Sequence, residues 1–147
     1  MLQNAASARG IELSIFVLAS PEEIVPTLDR AKAWGAGAIN VLSSPLFNAY
    51  PNRGTVVART AALQLLAIYE WPEIAEEGGF AAYGPRFSSI FRQLARLTIK
   101  VLRGTKPADI PAEQPTNFEL VINLRTAKAI GFDVPASLVL RADKVIE

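Results

Sequence analysis

Short apolar segments alternate along the chain with segments of helical spacing, and this order constrains the fold more than any other feature. Residues 11–19 carry apolar side chains on both faces of a strand pattern, which is typical of a sheet covered on both sides. Residues 38–42 and 66–69 are two further short apolar runs. Strands that alternate with helices predict a mostly parallel sheet with helices on both faces, a three-layer α/β sandwich.

Helix boundaries can be predicted at two places. Ser20, followed by Pro21 and Glu23, has the pattern of a helix start, and Gly35 is suited to end that helix. A longer helix is predicted over residues 86–103. Its apolar side chains recur at helical spacing and are Phe87, Ile90, Phe91, Leu94, Leu97 and Val101.

The last third of the chain has the pattern of a strand followed by a short helix. Phe118, Leu120 and Ile122 alternate with their neighbours at the period of a strand with one buried face. Thr126 can cap a short helix, and Gly131 can end it in a left-handed turn. We expect the strand near residues 117–124 to join one side of the parallel sheet.

Four stretches of the sequence resemble one protein family. Residues 113–131, 135–147, 78–85 and 102–111 are similar to the C-terminal end of the solute-binding proteins of ABC transporters, in the branch related to tryptophan- and tyrosine-binding lipoproteins. The resemblance implies a periplasmic-binding-protein-like fold of type I, of which this chain is the C-terminal lobe. It also implies non-catalytic binding of an amino acid-like small molecule, aromatic amino acids included.

By the same resemblance the chain divides into two parts. Residues 1–78 and 113–147 would form the α/β domain of the second lobe. Residues 79–112 would be the crossover segment and the long helix that packs on the first lobe. We expect the chain to be truncated, beginning inside the second lobe without that lobe's opening strand.

The ends of the chain bear on localisation. Residues 1–10 carry no export signal, and the chain has no cysteine for lipid attachment. The family that it resembles is periplasmic or extracellular and lipid-anchored, and it delivers its ligand to an ABC transporter permease. This contrast is the reason for expecting a truncation.

Composition excludes several classes of function. The 147 residues contain no histidine and no cysteine, which removes the usual general base at neutral pH, thiolate catalysis and the commonest metal ligands. A net charge of +1 does not select nucleic acid as a partner. We therefore expect neither an enzyme nor a metal, cofactor or nucleic-acid site.

Ligand contacts are expected at the carboxyl ends of the strands, where open α/β sheets bind small molecules. The segment after residue 42 offers Ser43, Ser44 and Phe47. Two hydroxyls can hold a carboxylate or a carbonyl, and the ring can form an apolar wall. The alternative is that the serines only terminate the strand and Phe47 packs inward.

The next strand end offers Tyr69, Glu70 and Trp71. An aromatic pair around a carboxylate suits an amine or an aromatic ligand. The alternative is that Glu70 favours a following helix N-terminus and Trp71 covers the core. The resemblance favours the ligand interpretation, because residues 66–71 look like the family's strand that opens onto the ligand cleft.

The resemblance also implies a hinge. Tyr83 would face the cleft, and Gly78, Gly79 and Gly84 would be hinge glycines, since glycine tolerates unusual backbone angles. The alternative is an ordinary helix end followed by a strand. The sequence leaves both interpretations open.

Two hypotheses of different class follow. The first is part of a solute-binding protein, and the second is a stand-alone flavodoxin-like α/β domain acting as a small enzyme or regulator. A receiver-type regulator needs an acidic pocket at its strand ends, and only Glu70 supplies a carboxylate there. The binding module is therefore favoured.

The 86–103 helix also bears on oligomeric state. Without the first lobe to cover it, the apolar face of this helix predicts a homodimer or higher oligomer through the helix.

Overall fold

The computed structural model describes residues 2–147, which contain one five-stranded sheet. Its strands are β1 (Ala38–Asn40), β2 (Leu66–Tyr69), β3 (Ala81–Gly84), β4 (Glu119–Asn123) and β5 (Lys144–Ile146). The helices are α1 (Leu2–Ser7), α2 (Ile24–Trp34), α3 (Pro45–Asn48), α4 (Asn52–Ala62), α5 (Pro72–Glu76), α6 (Phe87–Leu102), α7 (Leu124–Ala129) and α8 (Ala136–Val139). Two short 3-10 turns, Pro21–Glu23 and Pro107–Asp109, precede α2 and follow α6.

The strands are neighbours in chain order, and most of their pairings are parallel. β1 pairs with β2, β2 with β3, and β4 with β5 in parallel, whereas β3 and β4 are antiparallel. In the antiparallel pair, Tyr83 is opposite Leu120 and Gly84 is opposite Glu119. The predicted mostly parallel α/β sheet is confirmed, and the strand predicted near residues 117–124 joins it as β4. The single buried face predicted for this strand is wrong, because Val121, Ile122 and Asn123 are all buried.

The core lies between the sheet and the helices α2, α4 and α5. In β2 the side chains of Ala67 and Tyr69 are buried while Ile68 between them is exposed, as the alternation of a strand requires. Helix α2 contributes Ile24 and Leu28, which are buried against this face. The core is completed by Val56, Ile74, Ala75, Ala82 and Val121. Burial of a large apolar side chain contributes about 1.5–3 kcal/mol. This cluster therefore stabilises the packing of α2, α4 and α5 on the sheet.

The predicted strand over residues 11–19 is wrong. These residues have no ladder partner in the part of the chain that the structure describes. Phe16 is half-buried through an edge contact with Trp34, at 6.4 Å between ring centroids, whereas Val17 is 82% exposed. An apolar segment forms a strand only when a neighbour takes up its backbone hydrogen bonds. β1 likewise pairs only with β2, so residues 2–147 supply no neighbour for its other edge.

The start of α2 differs from the predicted cap. The Ser20 side chain does not cap the helix. The Glu23 carboxylate accepts a hydrogen bond from the backbone N–H of Ala19 at 2.9 Å. The predicted end is confirmed, because Gly35 adopts a left-handed φ of 103° after the last turn.

Helix α6 confirms the predicted long helix and its apolar spacing, but it lies apart from the core. None of its 16 residues is buried. Phe91 is 62% exposed and Leu102 is 80% exposed. Within residues 2–147, the sheet therefore leaves most of the apolar surface of α6 uncovered.

The expected division of the chain at residue 79 stays a prediction, and the structure shows where the chain leaves the sheet. β3 is the central strand of the sheet, between β2 and β4, and both Ala81 and Ala82 are buried. The segment that leaves the sheet therefore begins at Pro85 and returns at Glu119.

Candidate functional site

The carboxyl ends of β1, β2 and β3 lie along one edge of the sheet, because these strands are parallel neighbours. Open α/β sheets bind ligands at this edge. We call it the rim, and it consists of the residues that follow the three strands: Ser43, Ser44 and Phe47 after β1, Glu70 and Trp71 after β2, and Pro85, Arg86 and Phe87 after β3. The predicted residues at positions 43, 44, 47, 70 and 71 thus come from neighbouring strand ends.

The two serines of the rim differ in role. Ser44 is the N-cap of α3, and its Oγ accepts a hydrogen bond from the backbone N–H of Leu46 at 3.2 Å. Ser43 is exposed beside it. Ser44 therefore serves the local structure, whereas Ser43 presents its hydroxyl to solvent.

A small recess lies where α3 and α4 meet the rim. Phe47, Asn48, Arg53 and Glu70 contribute to its lining. Its volume is about 10 Å³, which is room for about one water molecule. Phe47 also packs against the buried cluster, so its inward-facing interpretation is supported in part. The rim is therefore an open wall in this chain rather than an enclosed pocket.

Glu70 is oriented by a residue that the sequence did not reveal. The side-chain amide of Asn48 donates a hydrogen bond to Glu70 Oε1 at 2.8 Å. Asn48 is the last residue of α3, 22 positions before Glu70 in the chain. No spacing rule connects a helix end and a strand end at this separation, so only the fold brings these side chains together.

Tyr69 belongs to the core and also contributes to the lining of the recess, so ligand contact by Tyr69 stays a prediction. Its side chain is 3% exposed, and its hydroxyl shares a hydrogen bond with Thr60 Oγ1 at 2.9 Å. Burial disfavours the phenolate and raises the pKa of Tyr69 to about 12. The alternation of β2 explains this position, because residue 69 shares the covered face with Ala67.

Trp71 connects the rim to α6 through an aromatic row. Its ring stacks on Phe87, with centroids 4.3 Å apart and planes at 17°, and Phe87 faces Phe91 at 6.3 Å. The indole N–H of Trp71 is buried and has no hydrogen-bond partner among residues 2–147. The backbone N–H of Phe87 donates to Glu73 Oε1 at 3.1 Å, which holds the start of α6 beside α5.

Tyr83 lies near the rim end of β3, on the face opposite the buried Ala82. It is exposed, and its ring lies 5.7 Å from that of Phe118. Ligand contact by Tyr83 stays a prediction.

The three glycines predicted as hinges are closely held. The Gly78 carbonyl accepts a hydrogen bond from the Thr126 hydroxyl at 2.9 Å, and Gly78 has a left-handed φ of 113°. A β-carbon on Gly79 would come within 2.7 Å of the Tyr69 ring, and one on Gly84 within 1.8 Å of a backbone oxygen. Close approach accounts for Gly79 and Gly84, and the left-handed φ accounts for Gly78. A hinge at these positions stays a prediction.

Across residues 2–147, no helix has both the length and the apolar character needed to cross a membrane. The same residues contain no group of three or more acidic side chains positioned to hold a metal ion.

Solved structures share this fold. An ABC domain from Streptococcus pneumoniae in complex with L-Trp is similar over 98% of this chain and 48% of its own, with a TM-score of 0.85 and 24% identity. A conserved domain protein from Vibrio cholerae covers the same shares, with a TM-score of 0.86 and 19% identity. The ligand-free, open form of a substrate binding protein with adhesive properties from Clostridium difficile matches 99% of this chain and 48% of its own, with a TM-score of 0.61 and 17% identity.

This chain thus spans about half the length of the structures that it matches. A search of curated protein sequences found no match. A scan of protein families matched residues 1–146 to the family described as ABC transporter substrate binding protein. Proteins of this kind bind small molecules and do not transform them. The match covers nearly the whole chain, and the chain therefore belongs to the ABC transporter substrate-binding protein family.

Proposed function

We propose that this chain forms one wall of the ligand cleft in a solute-binding protein of an ABC importer. The observation that carries the proposal is the rim itself, where the exposed Ser43, the oriented Glu70 and the aromatic Trp71 follow neighbouring parallel strands. The family match supports this role. A wall of this kind holds its ligand without covalent chemistry.

The ligand class that suits the rim is an amino acid or a similar amine, aromatic ones included. Asn48 binds Glu70 Oε1, so Oε2 is the carboxylate oxygen left to accept a hydrogen bond from a ligand ammonium group. The Ser43 hydroxyl could donate to a ligand carboxylate. Trp71 adds an apolar surface, although its ring is partly covered by Phe87.

We further propose that residues 85–118 extend toward a second lobe and that the rest of the chain forms the α/β domain on this side of the cleft. The exposure of α6 supports this division, since none of its residues is buried by the sheet described here. Gly84 lies at the point where the chain leaves the sheet, which is where a hinge between lobes would act. The whole protein would deliver its ligand to a transporter permease from outside the cytoplasmic membrane.

For this chain by itself we propose self-association through α6. Five of its large apolar residues are exposed: Phe91, Leu94, Ile99, Val101 and Leu102. An apolar surface of this kind marks an interface. A second copy offers the same surface, so a two-fold pairing of α6 would cover both helices.

Calorimetry with L-phenylalanine as the probe tests the one-wall proposal. We expect weak, millimolar binding, because contacts from only one side of a cleft cannot exclude water from the ligand. Glu70→Gln should weaken it further, while Arg125→Gln, an exposed change on α7, should leave it unchanged. Micromolar binding would show a complete site and would contradict the proposal, as would equal binding by the two variants.

A further inference from the structure

The two segments that leave the sheet do so side by side. Gly84 is the last residue of β3 and pairs with Glu119, the first residue of β4. Two residues beyond Gly84, the Arg86 guanidinium contacts carboxylates on both sides of this exit. Its Nε lies 2.6 Å from Glu119 Oε2, and its Nη1 lies 2.9 Å from Glu76 Oε1.

Glu76 extends this cluster to a third part of the domain. Lys144 on β5 places its Nζ 2.8 Å from Glu76 Oε1. The side chains of Arg86, Glu76 and Glu119 are each about one-quarter exposed, so water screens them less than it screens a fully exposed pair. The planar guanidinium can engage two carboxylates at once, which a lysine ammonium cannot do with the same geometry.

The first residues of α6 are the part of that helix with the strongest contacts to the domain. Phe87 stacks on Trp71, and its backbone N–H is bound by Glu73. Farther along, the described contacts are side-chain hydrogen bonds from Gln93 and Arg96 to Glu113, which itself lies in the segment outside the sheet. The direction of α6 relative to the sheet is therefore set at Arg86 and Phe87.

We propose that Arg86 is a positioning residue that fixes the direction in which α6 and the returning segment leave the sheet. Its contacts with Glu119 and Glu76 join the outgoing chain, the returning chain and α5 at one point. Without Arg86, α6 would still begin at Phe87 but would sample a wider range of directions.

The absence of native cysteine makes the test direct. Lys100→Cys on α6 and Lys128→Cys on α7 provide two exposed sites for nitroxide labels, and pulsed electron paramagnetic resonance gives their distance distribution. Doubly labelled chain is diluted into excess unlabelled chain, so that each distance arises within one copy. We expect a single narrow distribution for the parent, broadened about twofold by Arg86→Ala, because this change leaves Glu119 without its ion-pair partner while Glu76 keeps Lys144.

Arg92→Ala is the matched control, since Arg92 is an exposed arginine on the same helix and makes no ion pair within residues 2–147. It should leave the distribution unchanged. Arg86→Lys should give an intermediate width. If Arg86→Ala does not fold, Glu119→Gln takes its place with the same expected broadening. Equal widths in the parent, Arg92→Ala and the Arg86→Ala or Glu119→Gln chain would overturn the proposal.

Discussion

Gly84 lies against the backbone of Glu70, so that a β-carbon at position 84 would come within 1.8 Å of the Glu70 carbonyl oxygen. Backbone atoms of a central strand cannot turn aside as a flexible side chain can. Gly84→Ala should therefore push β3 away from the end of β2. We expect the free energy of unfolding to fall by about 2–3 kcal/mol, the upper range for overpacking. Urea unfolding followed by circular dichroism measures this change.

Gly54→Ala is the control for that substitution. Gly54 lies within α4, and a β-carbon there would meet no atom within 4 Å. Alanine in a helix should raise the free energy of unfolding by about 0.5–1 kcal/mol. A Gly84→Ala chain as stable as the parent would show that β2 and β3 do not approach as closely as described.

The buried Tyr69 makes stability depend on pH in the alkaline range. Its pKa is raised to about 12 in the folded chain, so the unfolded chain loses this proton first as the pH rises. The contribution to the free energy of unfolding is complete below about pH 10, the ordinary tyrosine pKa, and is lost as the pH rises toward the folded value. Urea midpoints across this range measure it.

Tyr69→Phe separates this titration from other alkaline effects. It removes the hydroxyl that contacts Thr60 and should lower the free energy of unfolding at neutral pH by about 0.5–1.5 kcal/mol. It should also flatten the decline above about pH 10 relative to the parent. An equally steep decline in both chains would place the titrating group elsewhere.

The hydrogen bond from the Asn48 amide to Glu70 can be tested by placing a negative charge at position 48. Asn48→Asp replaces the donor that binds Glu70 with a second carboxylate at the same place. Like charges this close disfavour the folded state, so we expect a loss of about 1–3 kcal/mol at neutral pH. Denaturant midpoints measure this loss.

Asn48→Ala serves as the comparison, because it removes the hydrogen bond without adding charge. Its cost should be smaller than that of Asn48→Asp. If the two substitutions cost the same, position 48 is not adjacent to the Glu70 carboxylate.

Self-association through α6 predicts a defined response to charge and salt. Leu94→Glu should shift sedimentation toward the monomer, since it places a carboxylate in the exposed apolar surface. Ser88→Glu, an exposed change on the same helix, should not. Because α6 carries Arg92, Arg96 and Lys100 and no acidic residue, added salt should strengthen pairing. A parent chain that stays monomeric at micromolar concentration would contradict the prediction.

Local patterns predicted those parts of the fold that local interactions determine. The apolar spacing of α6 and the left-handed Gly35 each depend on residues near in sequence. β4 forms at the predicted place, but Val121, Ile122 and Asn123 are all buried, so both of its faces are covered rather than one. The segment 11–19 has an equally clear apolar pattern, but a strand also needs a neighbour, which a pattern cannot supply.

The grouping of the rim residues could be predicted from the order of the strands, but the direction of each side chain could not. The carboxyl ends of parallel strands meet at one edge, so Ser43, Glu70 and Trp71 could be grouped from the order of the elements. Which of the neighbouring side chains turns inward depends on strand register, and this sends Tyr69 into the core. The contact between Asn48 and Glu70 joins parts of the chain that are 22 positions apart, so it could be identified only from the folded structure.

The most direct test of the rim as a ligand wall is a nuclear magnetic resonance titration of the 15N-labelled chain with L-phenylalanine. We predict that the amide signals of Ser43, Glu70 and Trp71, together with the Trp71 indole signal, shift progressively at millimolar ligand, while those of α7 and β5 stay in place. Glu70→Gln should reduce these shifts. The absence of any shift at the rim, or larger shifts on α7 and β5 than at the rim, would contradict the account.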